Sequence, residues 1–321
     1  MFSDRLAGWR PDETDAARAD EGSHANAGEI GMTLPTFIVI GVAKAGTTSL
    51  YRYFDQHPDV FMYPEKGTNY FGYEDARDWK WADEGEPPLL RHFRVETFEE
   101  YEAAFAGASG ETAVGEVSPQ YFRSPSAAER MHARLPDVQV IVSLRNPAER
   151  AFSGYLMRIR RGEPVKSPSE DLSVDSSHVR EGFYYRRMKR YFDVFPSEQI
   201  KVLLFDDFRR DPAQVMNELF SFIGVDPGFR PDTAPRHNPA NVPRSRILNR
   251  LLYQPAVIRT AKAVVPERLH GSAKKVREVN LEEPPKMSPE LRSRLLALYR
   301  EDILNLEGLV QKDLSTVWLD A

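Results

Sequence analysis

Phe37-Ile38-Val39-Ile40-Gly41-Val42-Ala43-Lys44-Ala45-Gly46-Thr47-Thr48-Ser49-Leu50 is an apolar, β-branched run, then a loop bracketed by two glycines, then a stretch that leads into a helix. A glycine-containing loop between a strand and a helix N-terminus gathers unpaired N–H groups and the positive end of the helix dipole, which binds phosphate with few cations. In the nucleoside-triphosphate loop G-x-x-x-x-G-K-[ST], the lysine after the second glycine reaches the β and γ phosphates. Here Thr47 follows Gly46, and the loop's lysine lies three positions earlier, at Lys44. The displacement argues against ATP or GTP hydrolysis and leaves a phosphate as the expected ligand. The plain alternative is a glycine turn with surface Thr and Ser as caps.

Three further short apolar runs, at 113–117, 138–142 and 200–204, read as strands. Amphipathic helical patterns cover 97–105, 126–135, 147–161, 183–195, 212–223 and 288–306. Near-continuous apolar strands alternating with helices predict an α/β protein: a P-loop-like parallel sheet of about five strands between helices, three layers deep. Polar stretches at 74–88, 162–180 and 226–246 interrupt the pattern as long loops. Residues 1–33 hold seven acids against three arginines and few apolar side chains. That composition predicts a disordered acidic tail ahead of a single domain over 34–321.

The 321 residues are 41% hydrophobic and 28% charged, with 19 Gly and 24 Pro, which excludes collagenous and low-complexity classes. With no Cys there is no disulfide framework, thiolate metal site or cysteine nucleophile. No apolar run approaches a membrane span. These features predict a soluble, cytoplasmic protein. The net charge of -5 argues against general nucleic-acid binding while allowing a local basic site for one anion.

A second anion motif follows the run at 138–142: Ser143-Leu144-Arg145-Asn146-Pro147-Ala148-Glu149-Arg150-Ala151-Phe152-Ser153. Asn146 is placed as a helix N-cap, Pro147 as the first helical residue, and Glu149 as the reciprocal partner of a capping-box-like start. Arg145 then stands at the carboxyl end of a strand, where open parallel sheets bind ligands, with Ser153 two turns into the next helix. An arginine there holds a phosphate bidentately with support from a hydroxyl.

With both motifs in place the sequence resembles the sulfotransferases that use 3′-phosphoadenosine 5′-phosphosulfate (PAPS), in their bacterial and heparan-sulfate branch. The resemblance runs over about residues 36–250. It extends to Gln56-His57-Pro58-Asp59-Val60, Gly115-Glu116-Val117-Ser118-Pro119-Gln120-Tyr121, Gly182-Phe183-Tyr184, Phe205-Asp206-Asp207-Phe208 and Arg210-Asp211-Pro212. It implies that Lys44, Ala45, Gly46, Thr47, Thr48 and Ser49 hold the phosphosulfate, with Lys44 also countering the charge that develops as the sulfonate leaves. It implies that Arg145 and Ser153 bind the 3′-phosphate, that Arg244 contributes to a basic loop over the nucleotide, and that 3′,5′-ADP is the product with no metal required.

The family's general base does not carry over. Many members place a Lys-Glu pair before an aromatic couplet, and this chain has Lys66-Gly67-Thr68-Asn69-Tyr70-Phe71, with Gly67 at the glutamate position. Glu116 and Glu65 are the candidate substitutes; alternatively Glu116 pairs with a basic residue such as Lys66. His57 reads as part of a helix-ending His-Pro turn. Residues 244–277 concentrate nine Lys/Arg against one acid, so an acidic carrier protein, a polyanionic sugar or a membrane surface is a possible partner. The expected acceptor is a small molecule, lipid or carbohydrate bearing a hydroxyl or amine. A PAPS-binding relative without catalysis and a nucleotide or small-molecule kinase are the alternatives.

Overall fold

A computed structural model describes residues 33–77, 95–233, 242–244 and 281–320. The expected acidic tail at 1–33 lies almost entirely outside the described residues, as does most of the basic segment at 244–277.

The first half runs β1 (Phe37–Gly41), α1 (Thr47–Phe54), β2 (Val60–Met62), α2 (Tyr73–Arg77), α3 (Phe98–Ala103), β3 (Ala113–Val117), α4 (Ala127–Arg134), β4 (Gln139–Leu144) and α5 (Pro147–Arg160). Two short helices, α6 (Pro168–Asp171) and α7 (Ser177–Arg180), follow in the stretch expected to be loop. Then come α8 (Tyr185–Val194), β5 (Ile200–Leu204), α9 (Phe205–Arg210), α10 (Pro212–Phe222), β6 (Val242–Pro243), β7 (Leu281–Glu282) and α11 (Pro289–Val310). Strands β1 to β5 form one parallel sheet in the order β2-β3-β1-β4-β5, and β6 pairs with β7 in a separate antiparallel ribbon. The α/β class and its parallel five-stranded sheet are therefore as expected.

Side chains in a strand alternate between faces. Phe37 and Val39 of β1 join Leu50 and Phe54 of α1 and Leu219 and Phe220 of α10. Ile38 and Ile40 join residues of α4, α5, α8 and α11 on the other face. Both faces of β1 are thus dry, which is why its sequence is apolar without a break. The fifth strand, β2, was not among the expected runs. It is three residues long at the sheet edge, too short for periodicity to show, and the contacts that make it a strand come from β3.

The chain reverses direction of travel across the sheet between β1 and β4: α1 leaves toward β2, α5 toward β5. That topological switch opens a crevice beyond the carboxyl ends of the two strands. Asn146 caps α5 as expected, its Oδ1 accepting from the N–H groups of Ala148 at 3.0 Å and Glu149 at 3.3 Å. The Glu149 side chain does not return to the cap. It faces Arg145 at 4.0 Å and Arg292 at 3.7 Å, because two guanidinium groups attract a carboxylate more strongly than one neutral N–H.

Ile38 is fully buried in the central strand, so Ile38→Ala should cost about 2–5 kcal/mol of unfolding free energy, measured by urea titration.

Candidate functional site

The loop after β1 owes its shape to two backbone positions. Lys44 has φ 75° and Gly46 has φ 82°. A Cβ on Gly46 would also stand 3.0 Å from the Phe205 ring and 3.1 Å from the Phe208 ring, so glycine is required both by conformation and by space. Gly46 occupies the cap of α1, where it offers no side-chain oxygen, and the first turn holds no acid. The leading N–H groups of α1 are left for another acceptor, and the helix dipole makes an anion the favoured one.

Two ammonium groups reach this loop. Lys44 Nζ lies 3.5 Å from Met157 Sδ on α5, a weak acceptor. Lys66, from the segment after β2, places Nζ 3.0 Å from Thr48 Oγ1 and 3.4 Å from Thr47 Oγ1. Among the described residues neither lysine forms an ion pair. Burial, and then the charges of Arg145, Arg161, Arg160 and Arg150, bring Lys44 down from the ordinary 10.5 to about 8. Burial alone brings Lys66 down to about 8. Lys66 was not among the expected site residues. The signal was its place in the Lys-Gly pair, and what delivers it is a left-handed backbone at φ 80° that the pair does not announce.

Arg145 projects from the end of β4 into the same crevice. Its Nη1 donates to the carbonyl oxygen of Lys44 at 3.0 Å, and its guanidinium lies over the Phe205 ring, 4.9 Å from the centroid. The Tyr184 hydroxyl donates to the Arg145 carbonyl at 3.0 Å. Burial lowers the Arg145 pKa, with Glu149 opposing. The two sequence motifs therefore touch directly. Ser153 is half-buried on α5, one turn before Met157 and on the same helix face, so it looks toward the Lys44 side of the crevice. Arg244 follows the buried Val242 in the ribbon that packs against α5; its side chain is exposed and has no described contact with the loop.

Glu116 is enclosed rather than presented. It is 0% exposed, and its two carboxylate oxygens accept five hydrogen bonds. Three go to Oε2, from Thr68 N at 2.7 Å and from Thr68 Oγ1 and Ser118 Oγ at 2.8 Å; two go to Oε1, from the hydroxyls of Tyr121 at 2.9 Å and Tyr101 at 3.1 Å. Burial raises its pKa while these donors pull the other way. The expectation that Glu116 takes a proton from an acceptor gives way here to geometry, since five donors and complete burial leave an incoming hydroxyl no approach. The alternative pairing with Lys66 is not formed either. Instead Glu116 ties Thr68, two residues beyond Lys66, to the end of β3. Gly67 cannot carry a side chain in this arrangement: a Cβ would collide with the Val117 carbonyl and Ser118 Oγ. Glu65 is exposed beside Lys66. His57 is structural as expected, its ring bridging the Asp59 N–H at 3.1 Å and the Asp226 carbonyl at 3.1 Å.

Comparison with known proteins agrees with this geometry. Residues 35–230 match the model described as "Sulfotransferase family". A crystal structure of a sulfotransferase from Alicyclobacillus acidocaldarius superposes with a TM-score of 0.65 at 29% identity, over 88% of this chain and 98% of that one. The human bifunctional heparan sulfate N-deacetylase/N-sulfotransferase 3 is 27% identical over 218 residues, 61% of this chain and 23% of that protein. The membrane-associated sulfotransferase kil1 of Dictyostelium discoideum is 31% identical over 144 residues, 45% of this chain and 27% of that protein. The chain thus spans about a quarter of the length of the curated relatives it matches.

Two outcomes test the site itself. A Lys66 value of about 8 against an ordinary 10.5 means that the unfolded chain binds more protons between those pH values. The cost of burying the charge is therefore full below pH 8 and vanishes by 10.5, so any stability that Lys66→Met gains over the parent should be largest below pH 8 and shrink as pH rises, read by urea unfolding. Glu116→Gln sets an NH2 group against hydroxyl and N–H donors and should cost about 1–3 kcal/mol, visible as a lowered Tm.

Proposed function

The chain belongs to the sulfotransferase family, and we propose that it moves a sulfonate group from PAPS to a hydroxyl or amine of a small-molecule, lipid or carbohydrate acceptor, leaving 3′,5′-ADP. One observation carries the donor half of this reading: the hydrogen bond from Arg145 to the Lys44 carbonyl, which joins two anion grips that lie 101 residues apart in sequence. PAPS has a phosphosulfate at one end and a 3′-phosphate at the other, and a doubly anionic nucleotide needs two such grips in one crevice. The residues fit: a helix N-terminus with no acid in its first turn, two ammonium groups without carboxylate partners among the described residues, and a half-buried guanidinium.

PAPS when bound supplies a sulfonate on a phosphate leaving group. The chain's part is to hold and to neutralise. The loop N–H groups and the hydroxyls of Thr47, Thr48 and Ser49 orient an oxyanion, and Lys44 and Lys66 face it with positive charge that needs no reorganisation. An anion between them favours their charged forms, so both lysines should titrate higher when the site is filled. Arg145 and Ser153 are assigned to the 3′-phosphate, with Arg244 as an outer contact. Glu65 stays the candidate base, and Glu116 becomes a positioning residue for the Lys66 segment.

The heparan sulfate relatives favour a carbohydrate among the possible acceptors, and the basic segment at 244–277 would suit a polyanionic one, an acidic carrier protein or a membrane surface. We place the cysteine-free chain in the cytoplasm. A PAPS-binding protein without catalysis is the second reading, favoured by the one finding that Gly67 excludes the family's glutamate.

Thermal-shift titration should give a larger stabilisation by 3′,5′-ADP than by 5′-AMP or ATP with magnesium; preference for the last would replace the reading with a kinase. Lys44→Ala should lower turnover by roughly 10²–10³-fold with the fold intact. An unchanged rate removes Lys44 from the chemistry, and no turnover in the parent selects the second reading. Arg145→Ala should weaken 3′,5′-ADP by about 2–5 kcal/mol, measured by calorimetry.

A further inference from the structure

The last residues of the chain reach the Arg145 turn. Trp318 is completely buried in a short helical turn, Ser315–Leu319, that follows α11. Its carbonyl accepts from Asn146 Nδ2 at 3.2 Å, its Nε1 donates to Asp206 Oδ2 at 3.3 Å, and its ring meets the Tyr184 ring edge-on at 6.4 Å. Each partner is itself tied to Arg145, through its backbone or through a neighbour of its side chain. Asn146 is the next residue along the chain and caps α5, and Tyr184 donates to the Arg145 carbonyl. Asp206 adjoins Phe205, whose ring lies under Arg145. The turn is in turn fastened to α11, where Glu307 Oε2 accepts from Leu314 N at 2.8 Å, Ser315 N at 2.7 Å and Ser315 Oγ at 2.8 Å. Asp302, one turn earlier on α11, accepts from the N–H groups of Tyr184 at 2.7 Å and Tyr185 at 3.2 Å.

From this convergence we infer that Trp318 is a specificity-determining positioning residue: it clamps the Arg145–Asn146 turn from behind and so holds the guanidinium in the orientation that separates a 3′-phosphorylated nucleotide from one without that phosphate. The long Arg side chain has several rotatable bonds, and its discrimination depends on how few of its orientations remain open when the ligand arrives. Phe205 and the Lys44 carbonyl restrain the guanidinium from the front. The Arg145 carbonyl accepts from Tyr184 and the chain runs straight on into the Asn146 cap, and Trp318 touches both. The segment lies beyond residues 35–230, the part of the chain that the family comparison covers. The inference rests on the proposed use of Arg145 for the 3′-phosphate.

The test measures dissociation constants for 3′,5′-ADP and 5′-AMP by calorimetry in the full-length parent, Trp318→Ala, Trp318→Phe and Asn146→Ser. Trp318→Phe keeps a ring against Tyr184 and loses the Asp206 bond; Asn146→Ser keeps an N-cap and cuts the link from the other side. In Trp318→Ala the ratio of the two constants should fall about tenfold, the scale of a hydrogen bond that serves a charged group, while 5′-AMP binding stays close to the parent's. Trp318→Phe and Asn146→Ser should move the ratio the same way. A purely structural role would lower Tm and weaken both nucleotides in parallel, leaving the ratio alone. Should Trp318→Ala not fold, the other two variants decide. Parental discrimination preserved in every folded variant overturns the inference and leaves the donor reading standing. A parent that does not discriminate overturns the donor reading itself.

Discussion

Positive charge gathered in one crevice repels itself, and how this chain tolerates that repulsion organises everything around its site. Arg145, Arg150, Arg160 and Arg161 all act on Lys44. Arg150, the most deeply buried arginine among the described residues, has its charge paired within the protein: Nη1 meets Glu181 Oε2 at 2.6 Å, and a second guanidinium, Arg123, meets the other oxygen at 3.1 Å. Burial would raise Glu181, but the two guanidinium groups hold it at about 2. Carboxylates thus neutralise the cations behind the crevice. The two lysines at its mouth, among the described residues, face only weak acceptors, a thioether and threonine hydroxyls. Leaving them so costs folding energy, and the gain is a site whose charge is completed by an anion.

The same partition explains why Glu116 and Gly67 differ from expectation. A carboxylate near the two lysines would compete with the ligand for them. Glu116 stands opposite Ile38 on the strand that pairs with β1, yet its charge is consumed by two tyrosines, a serine and Thr68. That buried knot also sets the path of the chain from Lys66 to Asn69, reinforced by Val117 N donating to the Lys66 carbonyl at 2.7 Å. Gly67 is the point where the segment passes closest to β3. The glycine therefore marks a close approach of two backbones, and the lysine next to it gains its position over α1 as a result.

The C-terminal helix plays a comparable part on the other side. Through Asp302 it anchors the start of α8, and through Glu307 it orders the turn that carries Trp318. Elements that never line the crevice thereby restrain the backbone of Arg145, and rigidity of that kind is what allows a surface-reaching guanidinium to recognise one anion geometry.

Much of this was legible in the residues alone. The strands 37–40, 113–117 and 200–204 announce themselves by near-continuous apolar character, and the glycine loop and the Asn-Pro helix start depend on neighbours a few positions away. Those are local properties, set by backbone sterics, strand alternation and capping, and a linear sequence contains them in full. Folding alone decided that β2 pairs with β3, that Lys66 reaches Thr48, that Glu116 is sealed at a distance of 48 residues from Thr68, and that Trp318 meets Asn146 across 172. Such contacts depend on the register and packing of whole layers, so the identity of either residue carries no trace of its partner until the sheet and its helices bring them together.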